Sequence, residues 1–325
     1  MNVSNIFKSS YVRQASSPQE TIALQTQTTP AIQEETSVRH PKKTQGHRLS
    51  FNKQLQRAIL LAVAKTSPKL AQALTWHHFT RPRKLKAYQH KDLPQGATPL
   101  ELKHRNASLK GYSWGNANKR IYLVHGWESH SATFKSFINP LVQLGFQVIA
   151  FDLPAHGHSS QQYTHFRDCT DALEKILSSY GEAHAIIAHS AGAAITVNTL
   201  AKNPQLSPAK LCLISPMPSA QKHVDIFSHV VGLPDYLVEK LGERLEQHMD
   251  MPLEDSDICK LINNINTEGL VCHDLHDRCI PFNSGQKVAS TWQGASFYPS
   301  RQLGHHRILN DPTVITKVVE HASGN

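Results

Sequence analysis

The sequence predicts an α/β protein with a mostly parallel central sheet and helices on both faces. Three observations point there. Short apolar runs at 121–124, 147–151, 185–189, 210–214, 269–273 and 295–298 alternate with stretches of helical character, a pattern that implies parallel strands joined through helices. The run Ile121-Tyr122-Leu123-Val124 is apolar at successive positions, as expected of a strand buried on both sides. Ala185-Ile186-Ile187-Ala188-His189 runs straight into Ser190 and then Ala191-Gly192-Ala193-Ala194, so a strand passes into a helix through a serine with very small neighbours.

Taken in order, residues 1–50 are rich in Gln, Ser, Thr and Pro with little periodicity, which predicts a disordered N-terminal segment. Residues 51–95 read as a basic helical extension. Phe51, Leu55, Ile59, Leu60, Val63, Leu70 and Leu74 recur at near-helical spacing. Pro68 divides them into two helices, the second opened by Ser67 as N-cap with proline at its first position. Residues 96–325 form the α/β unit. Leu100–Arg105 and Ser108–Trp114 look like an antiparallel pair turning at Asn106-Ala107, and they begin the sheet. Helices are expected near Ser131–Leu144, Phe166–Tyr180, Ala191–Lys202, Asn283–Thr291 and Asp311–His321. The stretch from Pro216 to Asn266 is too long for a connector. Its segments Val224–Val231, Tyr236–Met249 and Leu253–Asn264 read as short helices divided by Pro234 and Pro252, an insertion over about 217–265.

Ser190 has the surroundings of a nucleophile. A sharp strand-to-helix turn admits only small neighbours and sets the hydroxyl at a helix N-terminus, where negative charge is favoured. A serine N-cap on an ordinary helix would look similar by itself. What separates the two readings lies downstream. The strand Gly269–His273 breaks into Asp274-Leu275-His276-Asp277-Arg278-Cys279-Ile280-Pro281, and Ala295–Pro299 is followed by Leu303-Gly304-His305-His306. A carboxylate beyond one strand end and an imidazole beyond the next can orient and deprotonate a hydroxyl. On residue type alone Asp274 competes with Asp277, and His306 with His305.

Together these motifs are specific. Val124-His125-Gly126-Trp127, the loop Phe151–Ser159, the Ser190 turn, Asp277–Pro281 and Gly304-His305 follow one another in register. From about Lys119 onward the chain therefore resembles an α/β-hydrolase-fold serine hydrolase of the esterase/lipase-like superfamily. One departure is Ala188, where the family usually carries glycine. The resemblance implies Ser190 as nucleophile, His305 directly after Gly304 as base, and Asp277, four residues before Pro281, as its acid. It implies the backbone N–H groups of Trp127 and Ala191 as oxyanion donors. It also implies that the insertion caps the serine, with His125, Met217 and Tyr236 as candidate substrate contacts.

The expected activity is cleavage of a small-molecule carboxylic ester or thioester through an acyl-enzyme, without a cofactor. A perhydrolase would keep the same triad. A peptidase specific for N-terminal residues would need a carboxylate for the amine, and Glu128 is the candidate. A non-catalytic binding module would normally have lost a triad residue. Epoxide hydrolases and dehalogenases need an aspartate where Ser190 stands. His273-Asp274-His276-Asp277 and His156-Gly157-His158 hold ligand-type residues, but no His-Glu-x-x-His or paired Cys-x-x-Cys occurs, so no metal is expected.

At 325 residues the chain is long enough for one sizeable core. Five scattered cysteines read as reduced thiols. No signal-like segment and no run of ~20 apolar residues appears, so a cytoplasmic protein is expected. Basicity is concentrated at one end: residues 1–110 hold 18 Lys+Arg against 5 Asp+Glu, and the remainder 16 against 20. The extension is expected to pack on the α/β unit, with peripheral contact to an anionic membrane surface as the alternative. Nothing resembles a nucleic-acid-binding motif.

Overall fold

Strands that are apolar at consecutive positions must be covered on both sides, and that requirement organises the chain. The computed structural model describes residue 58 and residues 62–83 and 89–324. The expected disorder over 1–50, and the apolar positions Phe51, Leu55, Ile59 and Leu60, lie outside these. The strands are β1 (Thr98–His104), β2 (Ala107–Trp114), β3 (Arg120–Val124), β4 (Gln147–Phe151), β5 (Ala183–His189), β6 (Lys210–Ile214), β7 (Glu268–Asp274) and β8 (Ser296–Ser300). They form one sheet in the order β1-β2-β4-β3-β5-β6-β7-β8. β2 pairs antiparallel with β1 and β4, and all the other pairs are parallel.

His104 pairs with Ala107. The hairpin therefore turns at Arg105-Asn106, one residue earlier than the sequence suggests. Arg105 takes φ 51, the positive angle that lets a two-residue turn match the twist of its strands.

The helices among the described residues include α1 (Pro68–Thr80), α2 (Lys135–Gln143), α3 (Phe166–Tyr180), α4 (Ala191–Lys202), α5 (Ala220–Val231), α6 (Asp235–Met249), α7 (Ile258–Leu261), α8 (Phe282–Thr291), α9 (Gly304–Arg307) and α10 (Pro312–Ser323). Side chains alternate across a strand, so β5 sends Ile186 and Ala188 to one core layer and Ala185 and Ile187 to the other. Residues of α3, α4 and α8 fill the first layer, together with α5, α6 and α7 of the insertion. Residues of α2 and α10 fill the second. Within the insertion, Gly232 ends α5 and Asp250 ends α6, both in the left-handed conformation, as helix C-termini commonly do.

The described residues make one compact unit, and α1 is part of it. Its buried residues are Ala71, Thr75, Phe79 and Thr80, whereas Leu70 is 50% exposed. Val63, ahead of Pro68, packs against Ala64, Ala71 and Leu237, but the apolar stripe carried on through Leu70 is not the packed face of α1. Pro68 restarts the helix, and the buried face follows the new phase at 71, 75 and 79. Ser67 stands at the N-cap position but its side chain makes no capping hydrogen bond. No helix among the described residues is long and apolar enough to cross a membrane. All five cysteines are free.

Phe79 is 2% exposed and belongs to the larger core layer. Phe79→Ala is expected to cost about 3–5 kcal/mol. In urea unfolding the loss should appear as one cooperative transition moved to lower denaturant, not as separate melting of α1.

Candidate active site

β5 ends at His189, and Ser190 takes φ 55, ψ −123, a conformation that costs energy for any residue with a side chain. Its neighbours hold it there. The Ser190 N–H donates to Ile214 O at 3.0 Å, and the Ser190 carbonyl accepts from Ala193 at 3.0 Å and Met217 at 3.1 Å. A Cβ on Gly192 would lie 2.5 Å from Val124 O and 2.6 Å from His125 O. A Cβ on Gly126 would lie 2.8 Å from Ser190 Cβ and 3.3 Å from its Oγ. The loop after β3 thus rests directly on the turn after β5, and neither glycine can gain a methyl group without displacing its neighbour. Ala188, where glycine was expected, is fully buried and sits in β5 without a positive φ.

His305 bridges the serine and an aspartate. Its Nε2 lies 2.9 Å from Ser190 Oγ, and its Nδ1 lies 2.7 Å from Asp277 Oδ2. An ionised carboxylate can only accept, so Nδ1 carries the proton and Nε2 is left to accept from the hydroxyl. Burial works to raise the Asp277 pKa, but hydrogen bonds from His273 and His305 and from the Ile280 N–H outweigh it. They hold the carboxyl well below the usual carboxylate range. The N–H groups of Cys279 and Ile280 also donate to Asp277 Oδ1, at 2.8 and 2.9 Å. His306 is exposed, with its ring 5.0 Å from that of His305.

Asp274 has a different position. Its carboxylate accepts from the N–H groups of His276 (2.9 Å), Leu303 (3.1 Å) and Gly304 (2.9 Å) and from Ser300 Oγ (2.9 Å). It ties the histidine loop to the end of β7. Two further histidines act on the same loops, and the sequence reading gave neither a role. His189 Nε2 donates to the carbonyl of His305 at 2.9 Å. His273 Nε2 lies 3.4 Å from Asp277 Oδ2 and 3.1 Å from the Ile280 carbonyl. Their only visible signal was their place at strand ends, which many structural residues share.

The loop after β3 is fixed in the same way. His125 is fully buried. Its Nδ1 donates to the carbonyl of Gly126 at 2.7 Å and its Nε2 accepts from Leu153 N–H at 3.0 Å. His156 donates from Nδ1 to Pro154 O at 2.8 Å and accepts from Glu128 N–H at 3.0 Å. Asp152 accepts from the N–H groups of Ser131 and His158, each at 2.8 Å. A Cβ on Gly157 would collide with that carboxylate at 2.1 Å.

The three candidate substrate contacts are not brought to the serine as side chains with a free face. Both ring nitrogens of His125 are taken by backbone. Met217 places its side chain in the core and reaches Ser190 only through its N–H. Tyr236 donates its hydroxyl to Ala64 O at 3.1 Å, binding α6 to the N-terminal helical region. The groups that do surround Trp127 come from three elements. Its ring stands 4.5 Å from His223 of α5, 5.1 Å from His156 and 6.5 Å from Phe79 of α1. Phe227 of α5 meets Phe79 edge-on at 5.2 Å. Phe79 lies beyond Leu74, where the apolar periodicity of the sequence ends, so nothing in the sequence marks it. Among the described residues, Asp277, Cys279 and His305 hold donor atoms within 4.8 Å of one another and could hold a metal ion, but here Asp277 and His305 bond each other.

A mostly parallel sheet covered on both faces, with a strained serine at one strand end and a carboxylate-held imidazole beyond two others, defines the class: this chain has the α/β-hydrolase fold. Within it, residues 115–269 match the family described as serine aminopeptidase, S33. The chain is 22% identical over 245 residues to the AB hydrolase superfamily protein YisY of Bacillus subtilis, covering 63% of this chain and 91% of that protein. It is 28% identical over 130 residues to a bifunctional esterase/perhydrolase of Acinetobacter calcoaceticus, covering 38% of this chain and 46% of that one. Among solved structures, mouse alpha/beta hydrolase domain-containing protein 10 superposes with a TM-score of 0.55 at 14% identity, over 69% of this chain and 96% of that one.

Burial, first of all, pushes the imidazoles of His125, His156 and His223 down to about 4, about 3 and about 4. Once unfolded, each takes up a proton near 6.5. Between those values the unfolded chain binds more protons, so stability is full above about pH 6.5 and is lost as the pH falls towards 4 and then 3. Each such group contributes a slope of up to about 1.4 kcal/mol per pH unit. Thermal midpoints should hold steady from pH 8 to 7 and drop from pH 6.5 to 4.5, and His156→Gln should flatten that drop.

Proposed function

We propose that this hydrolase cleaves a carboxylic ester or thioester through an acyl-serine intermediate. The observation that carries the reading is the unbroken line of hydrogen bonds from Asp277 through His305 to Ser190 Oγ. A serine hydroxyl is a poor nucleophile until a base removes its proton. His305 Nε2 is poised to accept that proton as Oγ attacks the acyl carbon, and the resulting imidazolium is stabilised by the Asp277 carboxylate. The same proton then passes to the leaving alcohol or thiol. Water repeats the cycle on the acyl-enzyme: His305 deprotonates it, the tetrahedral adduct collapses, and Ser190 leaves with its proton restored.

The negative charge formed on the carbonyl oxygen needs preorganised donors. Ala191 is the first residue of α4, so its N–H has no carbonyl one turn below to bind. Trp127 N–H follows Gly126, whose backbone abuts Ser190. These two N–H groups are the proposed oxyanion donors. A relative named as an esterase/perhydrolase supports acyl-ester chemistry, and a peroxide in place of water would give the perhydrolase outcome on the same residues. The match to the serine aminopeptidase family favours a second reading, cleavage of an N-terminal residue. Glu128, the carboxylate that reading would use for the amine, is already engaged by Arg83.

Wild type is expected to be labelled by a fluorophosphonate probe and Ser190→Ala is not; labelling that persists in the variant would sink the reading. Asp277→Asn should lower kcat on p-nitrophenyl acetate by on the order of 10³–10⁴. Faster turnover of amino-acid amides than of aryl and thiol esters would select the peptidase reading instead.

A further inference from the structure

Glu128 follows Trp127 directly, so a carboxylate stands one residue from a proposed oxyanion donor. That is an awkward place for a negative charge, because an anion must form beside it during the reaction. The structure deals with this charge explicitly. Arg83 Nε lies 2.9 Å from Glu128 Oε1 and 3.0 Å from Oε2, and Arg83 Nη2 lies 2.6 Å from Oε2. The Arg83 N–H adds a further bond to Oε1 at 3.1 Å. Glu128 is half-buried and has φ 54, so its conformation is strained and needs outside support. Burial works to raise its pKa, but the Arg83 hydrogen bonds and charge prevail and keep it ionised.

Arg83 comes from far away in sequence, and the segment that carries it is anchored on the α/β unit. Phe79 packs among Trp127, His223 and Phe227. Thr80 O accepts from Thr164 N–H at 2.8 Å, and Thr80 Oγ1 donates to Trp76 O at 2.8 Å. Pro82 is buried. The guanidinium itself is largely exposed, and a surface ion pair of this kind adds little stability. Its consequence is local: a planar fork fixes a carboxylate in both position and charge.

We propose that Arg83 is a positioning residue of the oxyanion site, neutralising and holding Glu128 so that the adjoining Trp127 N–H meets the developing anion without a competing charge. The inference rests on the triad reading above. It makes the segment leading out of α1 a working part of the site, although that segment lies outside the strand-and-helix repeat that supplies the other residues.

The test uses the full chain, p-nitrophenyl acetate kinetics, fluorophosphonate labelling and thermal unfolding. Arg83→Ala should lower kcat roughly tenfold with KM within about twofold, because the donor is misplaced and opposed only as charge develops. Arg83→Lys should fall between, since an ammonium supplies charge without the fork. Combining Arg83→Ala with Glu128→Gln should recover most of the lost kcat. A merely structural role for Arg83 predicts no such recovery, because the double variant lacks the same anchor. If labelled wild type and Arg83→Ala turn over alike, or if the double variant is no better than the single, the proposal is wrong. If wild type itself is not labelled, the triad reading fails first and this one with it.

Discussion

The site depends on two pieces of backbone lying closer together than any side chain would allow. Gly126 at the end of β3 meets Ser190, and Gly192 in the first turn of α4 meets the carbonyls of Val124 and His125. Adjacent parallel strands bring the two turns side by side, and the missing Cβ atoms let them touch. Everything chemical follows from that contact. Ser190 is held at a strained, positive φ at the head of α4, and the proposed oxyanion donors, the N–H groups of Ala191 and Trp127, belong to the same two turns.

Around that contact, the polar groups are largely there to fix loops. This chain has 21 histidines, and the buried ones near the site hold backbone groups in place. His125, His156, His189 and His273 each bind a backbone carbonyl, and the first two also accept a backbone N–H. An imidazole suits this work because, when neutral, it offers one donor and one acceptor on a rigid ring. Asp152 and Asp274 do the same with carboxylates at the ends of β4 and β7. Among the described residues, only His305 combines a carboxylate on one nitrogen with the serine hydroxyl on the other.

Much of this could be read before any coordinates. Strand apolarity located the sheet because parallel strands are buried on both faces, and β3 to β8, with α2, α3, α4, α5, α6, α8 and α10, fall within a few residues of their expected places. Leu253–Asn264 is instead broken into short turns around α7, and α9 was not expected. The serine turn was readable because strain demands small neighbours. Three kinds of feature were not. The hairpin turn depends on one positive φ that arginine rarely adopts, so Arg105 gave no signal. The buried face of α1 depends on where Pro68 restarts the helix, and periodicity taken through the proline pointed at Leu70 instead. The surroundings of the serine depend on long-range packing: Phe79 and His223 meet Trp127 from segments before and well after it in the sequence. Candidate contacts picked for being apolar or near a motif, such as Met217 and Tyr236, were claimed by the core and by a helix–helix bond.

The order of the strands carries a consequence for how the molecule comes into being. The loop with Gly126 leaves β3, the serine leaves β5, the carbonyl that binds the serine N–H ends β6, the aspartate follows β7, and the histidine follows β8. Each joins the site only when its strand has paired in register with the one before, and each crossover between them must close a long loop of chain. A nascent or refolding molecule can therefore hold most of its helices and much of its sheet while the hydroxyl still lacks its imidazole. The line from Asp277 through His305 to Ser190 therefore closes only once β8 lies against β7, however much of the core has already collapsed.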